Sequence, residues 1–157
     1  MVQPGLWEFA VAVYSRPGVE HACLVLQDSY GLDVDVLLFA VWLGARGESL
    51  GPVLDGGLAI SEKWQAVIGP LRATRRALKA MSQSETVGSL RAAVKAAELS
   101  AEHAELDALE VLAGIPGQGG RATAEANLRR YFSALNIAAD LLGRDEVLRI
   151  LDAAFPT

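Results

Sequence analysis

Val34-Asp35-Val36-Leu37-Leu38-Phe39-Ala40-Val41-Trp42-Leu43 is the stretch that decides the fold. Wound at the helical period of about 100° per residue, it shows apolar side chains on every side, with Asp35 the sole polar exception. A helix that is apolar all round belongs at the centre of a protein, so other helices must surround it. Immediately before it, Gly31 is suited to a left-handed helix stop, Asp33 to a cap on the next helix, and Leu32 to a staple onto Leu37. These local signals agree on a helix-turn-helix corner.

Working outward, apolar residues recur at helical rather than alternating spacing almost everywhere, and Ala and Leu dominate beyond the first third. The spacing predicts an all-α chain of about seven helices. Leu6 to Tyr14 reads as a first short helix, and Pro17 as part of the first turn of a second that runs to about Tyr30. Glu48 to Gly57 reads as a loop, Leu58 to Ile68 as a helix, and Gly69-Pro70 as a kink or restart. In the helix that follows, Leu71, Thr74, Leu78 and Met81 form one face, while Arg72, Arg75, Arg76 and Lys79 line the adjoining one. The longest helix is expected from Glu85 to Ala113. Its Leu90, Val94, Ala97, Ala101, Ala104, Ala108 and Val111 are spaced as a heptad seam, to be packed on a neighbour in the chain or on a second copy. Ile115 to Gly120 reads as a linker. A further helix carries Leu128, Tyr131, Phe132, Leu135, Ala138 and Leu142, Gly143 ends it, and Asp145 caps the last. The expected organisation is one domain over 1–157, with an aromatic-rich half over 1–82, an acidic half over 83–157 and the linker near 114–120.

Composition narrows the functional classes. The 157 residues carry 52% hydrophobic content and a net charge of −5, which fits a folded domain and argues against a general affinity for nucleic-acid phosphates. Residues 98–110 hold five acids and no base, so the acidity belongs to the second half. The longest uncharged apolar stretch, Val36 to Ala45, is about half of the roughly 20 residues a membrane-spanning helix needs. Neither a nucleic-acid nor a membrane partner is therefore expected. The N-terminus lacks a basic region, and Pro4 and Glu8 interrupt any hydrophobic signal core, which points to a cytoplasmic protein. Cys23, the single cysteine, lies in an apolar run and reads as a buried, inert thiol.

A specific pattern runs through the first part of the chain: Tyr14-Ser15-Arg16-Pro17-Gly18-Val19, Cys23-Leu24, Leu26-Gln27-Asp28, Gly31, Asp33-Val34-Asp35 and Trp42-Leu43. Trp64 and Pro70-Leu71-Arg72 with Arg75 and Arg76 extend it through roughly the first 80 residues. It resembles a family of uncharacterised bacterial proteins of about this length. The resemblance implies a bacterial, cytoplasmic protein and supplies no catalytic residues. The sequence departs from that pattern at Asp35, where an asparagine is expected.

Several polar residues stand out. Gln27 lies at the margin of the core face of the second helix, where an amide usually bonds to nearby backbone, and Asp28 and His21 fall opposite. Asp28, Asp33 and Asp35 place three carboxylates around one corner, as Mg²⁺ with a diphosphate would require. Cap and first-turn positions already account for Asp33 and Asp35, so no metal ligand is assigned. The arginine stripe matches anionic oxygens, or else an acidic stripe of Glu98, Glu102 and Glu105 on the long helix. Trp7, Trp42 and Trp64 read as core anchors and His103 as an exposed side chain. No phosphate loop, zinc-protease motif, nucleophile elbow or cofactor signature is present, and no cofactor is expected. Two functions remain. One is a protein-interaction or adaptor module, binding itself or another protein through the alanine seam and charged faces. The other is a small-molecule binder or enzyme acting on an anionic, phosphorylated ligand through Gln27, Asp28, Asp35, Arg72, Arg75 and Arg76.

Overall fold

Nine of the twelve residues of one helix, α3 (Val34–Ala45), are buried in the computed structural model, which describes residues 3–81 and 84–157. The all-round apolar stretch is thus the centre of the protein. Around it lie α1 (Leu6–Tyr14), α2 (Val19–Tyr30), α4 (Leu54–Lys79), α5 (Glu85–Glu110), α6 (Arg121–Ala134) and α7 (Asp145–Ala154), with short 3₁₀ turns at Gly51–Val53 and Ala139–Gly143. The described residues contain no strand. α6 packs along α3, α4 and α5 form a long pair, and α7 closes on α2. A single apolar cluster joins Leu6 of α1 to Leu151 of α7 through α3.

The corner before α3 forms as its residues dictate. Gly31 takes φ +65° and ends α2, and the Asp33 side chain accepts a 3.0 Å hydrogen bond from the Asp35 amide to cap α3. α3 meets α6 through small residues. A Cβ placed on Gly44 would fall 2.3 Å from the Ala124 Cα, so glycine sets how closely the two helices approach. Buried Asn127 then binds α6 to α3 and to the loop that follows it. Its amide donates to the carbonyls of Ala40 and Glu48, each at 3.0 Å, and its oxygen accepts from the Leu50 amide at 2.9 Å. All its hydrogen-bonding groups that could be orphaned by burial are occupied.

Several boundaries differ from those read in the sequence. α2 starts at Val19, after left-handed Gly18 (φ +81°), so Pro17 sits in the preceding turn rather than in the helix. The loop after α3 ends by Val53, and Gly56 and Gly57 lie within α4, facing Leu112 and Leu109. Gly69-Pro70 does not restart the chain: the 26-residue α4 continues through it. Gly69 has no Cβ to oppose a helical conformation before proline, and the long packing with α5 outweighs the hydrogen bond that proline cannot make.

The heptad seam on α5 is not its buried face. Ala101 is buried, yet Leu90 and Val111 are 52% and 83% exposed. The buried line is instead Glu98, Ala101, Glu105, Leu106 and Leu109, because the partner face on α4 is itself polar. α5 stops at Glu110 rather than Ala113. α6 ends at Ala134, cut by Asn136 at φ +56°, so Ala138 and Leu142 fall outside it. Asp145 is the first residue of α7, and no side chain caps that helix. The segment 113–120 is irregular as expected but is tied down: Gly117 and Gly120 donate to the Arg46 and Gly44 carbonyls. Of the tryptophans only Trp42 is buried; Trp7 and Trp64 are half-buried.

Candidate functional site

Three helical stripes face one another beside α3. Trp7, Ala10, Val11 and Tyr14 on α1 repeat at i, i+3, i+4, i+7, as do Glu20, Cys23, Leu24 and Gln27 on α2, and Lys95, Glu98, Leu99 and Glu102 on α5. With Asp35 and Leu38 from α3 and Gln65, Arg72 and Arg75 from α4, they enclose a cavity of about 480 Å³. Its size and mixed lining are those of a small-molecule site. Trp7 stacks on the His103 imidazole, ring centres 3.8 Å apart, and the His103 side chain remains 43% exposed as expected.

One wall is an ionic ladder between α4 and α5. On α4, Ser61, Gln65, Ile68, Arg72 and Arg75 repeat at alternating steps of four and three, which turns a mostly polar face toward α5. Arg75 makes a two-pronged contact with Glu98, and Arg72 reaches Glu98 at 3.4 Å and Glu102 at 3.5 Å. Two arginines of the basic stripe therefore meet two glutamates of the acidic one within the chain. Hydrogen bonding to Glu98 raises the Arg75 pKa. Burial raises that of Glu102, Glu98 adds to it, and Arg72 opposes it.

Beside the cavity lies a carboxyl cluster, of which Asp33 and Asp35 line the cavity and Glu105 is buried behind them. One oxygen from each of Asp33, Asp35 and Glu105 falls within 4.8 Å of the others. Asp33 Oδ2 accepts from the Ser61 hydroxyl at 2.6 Å, and Glu105 Oε1 from the Gln65 amide at 3.3 Å. Glu105 is fully buried, and its Oε2 has no hydrogen-bond partner. Burial, then the charges of Asp33 and Asp35, push its pKa up to about 11. Burial followed by Asp33 also raises Asp35 well above the carboxylate range. Desolvation and the acidic neighbours both favour the neutral form of Glu105. Among the described residues, Asp33, Asp35 and Glu105 are the group suited to holding a cation, and all are hard donors.

The structure brings together four of the six residues singled out in the sequence: Gln27, Asp35, Arg72 and Arg75 all line the cavity. Gln27 does not bond to the 31–33 backbone; its amide nitrogen is buried without a partner. Asp28 and Arg76 lie outside, paired with each other at 3.1 Å on an exposed face, where Arg76 lowers the Asp28 pKa. Glu105 takes the place expected of Asp28 beside Asp33 and Asp35, since the corner aims Asp28 outward while α5 crosses its inner side. Glu105 was legible only as a member of the acidic stripe, because nothing local shows which α5 residue meets the corner, and Gln65 gave no signal of its own. Cys23 is buried as expected, and burial, with Asp35 next, pushes its thiol up to about 12. It is no nucleophile.

Fold and site together define an all-helical protein built around α3, with a partly open cavity beside it that Asp33 and Asp35 of a carboxyl cluster help to line. The chain belongs to the family described as Protein of unknown function (DUF2390), which matches residues 5–109. That segment carries every residue lining the cavity. No curated protein and no solved structure matches the chain. Among the described residues, no helix is long and apolar enough to cross a membrane.

Proposed function

We propose that this protein binds a small organic molecule in the cavity, with an apolar body against Trp7, Val11, Leu24 and Leu99 and a polar head toward Asp33 and Asp35. The observation that carries this reading is the convergence of ionisable side chains from four helices on a space walled elsewhere by apolar ones. Stability alone gives no reason to bury carboxyl groups there. A phosphorylated ligand held by Arg72 and Arg75 fits less well, because both guanidinium groups already engage Glu98 or Glu102. The cavity lining itself has five carboxyl groups against three cations. An adaptor role would rest on the alanine seam of α5, whose Leu90 and Val111 are exposed, and on the charged faces.

The test is a thermal-shift screen of the whole chain against organic acids, alcohols, amines and phosphate esters, repeated with Leu24→Trp to fill the cavity. A ligand that binds only the folded state raises the melting temperature by mass action. The expected result is stabilisation by compounds with an apolar body, lost in Leu24→Trp. Stabilisation by phosphate esters that disappears in Arg72→Ala would replace this reading with the anionic-ligand one. Silence across the panel, with self-association in sedimentation, would replace it with the adaptor.

A further inference from the structure

We propose that Asp33, Asp35 and Glu105 bind one hard divalent cation, of the Mg²⁺, Mn²⁺ and Ca²⁺ group, beside the cavity. The inference rests on the cavity being a ligand site and names what its polar end holds. Two independent kinds of observation support it. The first is geometry: three carboxyl oxygens from two elements lie within 4.8 Å of one another. Ligands about 2.1–2.4 Å from a shared ion stand about 3 Å apart when adjacent and about 4–5 Å apart when opposite, so the cluster needs little contraction to close on a cation.

The second is Glu105 itself. It is 0% exposed, its Oε2 has no partner outside the acidic cluster, and its Oε1 accepts from the Gln65 amide. A buried acceptor left empty among acidic neighbours is costly unless something positive or protic completes it. Among the described residues, no arginine or lysine forms an ion pair with any of the three: Arg72 and Arg75 turn to Glu98 and Glu102. Ser61 and Gln65 fix two of the carboxyl groups from behind, as residues that orient metal ligands do. Access is provided as well, since Asp33 and Asp35 line the cavity, and its remaining volume leaves room for water or an oxygen-bearing head to complete the coordination. The all-oxygen donor set selects hard cations over zinc or copper.

The experiment is a titration of the chelator-treated full chain with Mn²⁺, the free ion being followed by electron paramagnetic resonance, with Mg²⁺ and Ca²⁺ as competitors. One Mn²⁺ per chain is expected. Glu105→Gln keeps the shape of the side chain and should weaken binding at least about tenfold, as should Asp35→Asn; Asp28→Asn, on the outer face, should leave it unchanged. Circular dichroism verifies that each variant is folded. No binding of Mn²⁺ by the unmodified chain at millimolar concentration overturns the proposal, whatever the variants do. So does binding that Glu105→Gln and Asp35→Asn leave intact. The two readings fail separately: an organic ligand bound equally well in chelator, with no Mn²⁺ taken up, ends the cation site alone, whereas Mn²⁺ bound at these residues with a silent organic panel ends the small-molecule reading alone.

Discussion

The Tyr131 hydroxyl clasps the backbone of Asp33 from both sides, accepting from its amide at 3.0 Å and donating to its carbonyl at 3.3 Å. Tyr131 lies on α6, 98 residues away, and is 1% exposed. One buried side chain thus fixes the residue that both caps α3 and lines the carboxyl cluster. Tyr131→Phe keeps the ring and removes the clasp. It should cost about 1–3 kcal/mol, the penalty for leaving buried polar groups unpaired, read as a lower midpoint in urea denaturation. An unchanged midpoint would show that solvent replaces the hydroxyl.

Two glycines on different helices should respond oppositely to alanine. At Gly44 the added methyl meets the Ala124 backbone at 2.3–2.4 Å, and neither α3 nor α6 has a flexible side chain there to yield. Gly44→Ala should destabilise by about 3 kcal/mol or abolish folding. At Gly88, within α5, nothing lies within 4 Å. Gly88→Ala should stabilise by about 0.5–1 kcal/mol through helix propensity. Thermal melts of the pair test the assignment of α3 and α6 as the closest crossing.

Buried carboxyl groups give the cation-free protein a particular pH dependence. The folded-state pKa of Glu105 is raised from 4.5 to about 11, so the folded state retains a proton that the unfolded state releases. The associated stability is whole below pH 4.5 and declines as pH rises toward 11, by at most about 1.4 kcal/mol per pH unit. Asp35, raised in the same direction, adds to the decline. In chelator, the unmodified chain should therefore be less stable at pH 8 than at pH 6. Glu105→Gln should flatten the profile while leaving the part due to Asp35. Equal slopes would show that Glu105 does not titrate as its surroundings dictate.

The arginine stripe should divide energetically. Arg76 pairs with Asp28 where both side chains are about half exposed, so Arg76→Ala should change stability by less than about 1 kcal/mol. Arg75→Ala leaves Glu98, whose side chain is only 8% exposed, with the single weaker contact to Arg72. A loss of about 1–3 kcal/mol is expected. Chemical denaturation of both variants at moderate salt checks the ranking, and equal losses would contradict the burial of the α4–α5 ladder.

The local elements were determined by the sequence alone, because their causes are local. The all-round apolar run from Val34 to Leu43 made α3 central, and Gly31 and Asp33 ended one helix and began the next with their own backbone and side-chain chemistry. The i, i+3, i+4, i+7 spacings already held the stripes of arginines and glutamates. What tertiary structure decided was which stripes meet. Gly69-Pro70 reads as a break until α5 packs along its length, and Tyr131 reads as one more core aromatic until it reaches Asp33. The alanine seam reads as the buried face of α5, yet the polar face of α4 buries Glu98 and Glu105 instead. Asp28 and Glu105 exchange roles for the same reason. Periodicity assigns a residue to a face of its own helix, whereas the neighbour of that face is set by packing between segments distant in sequence, and the carboxyl cluster exists only through that packing.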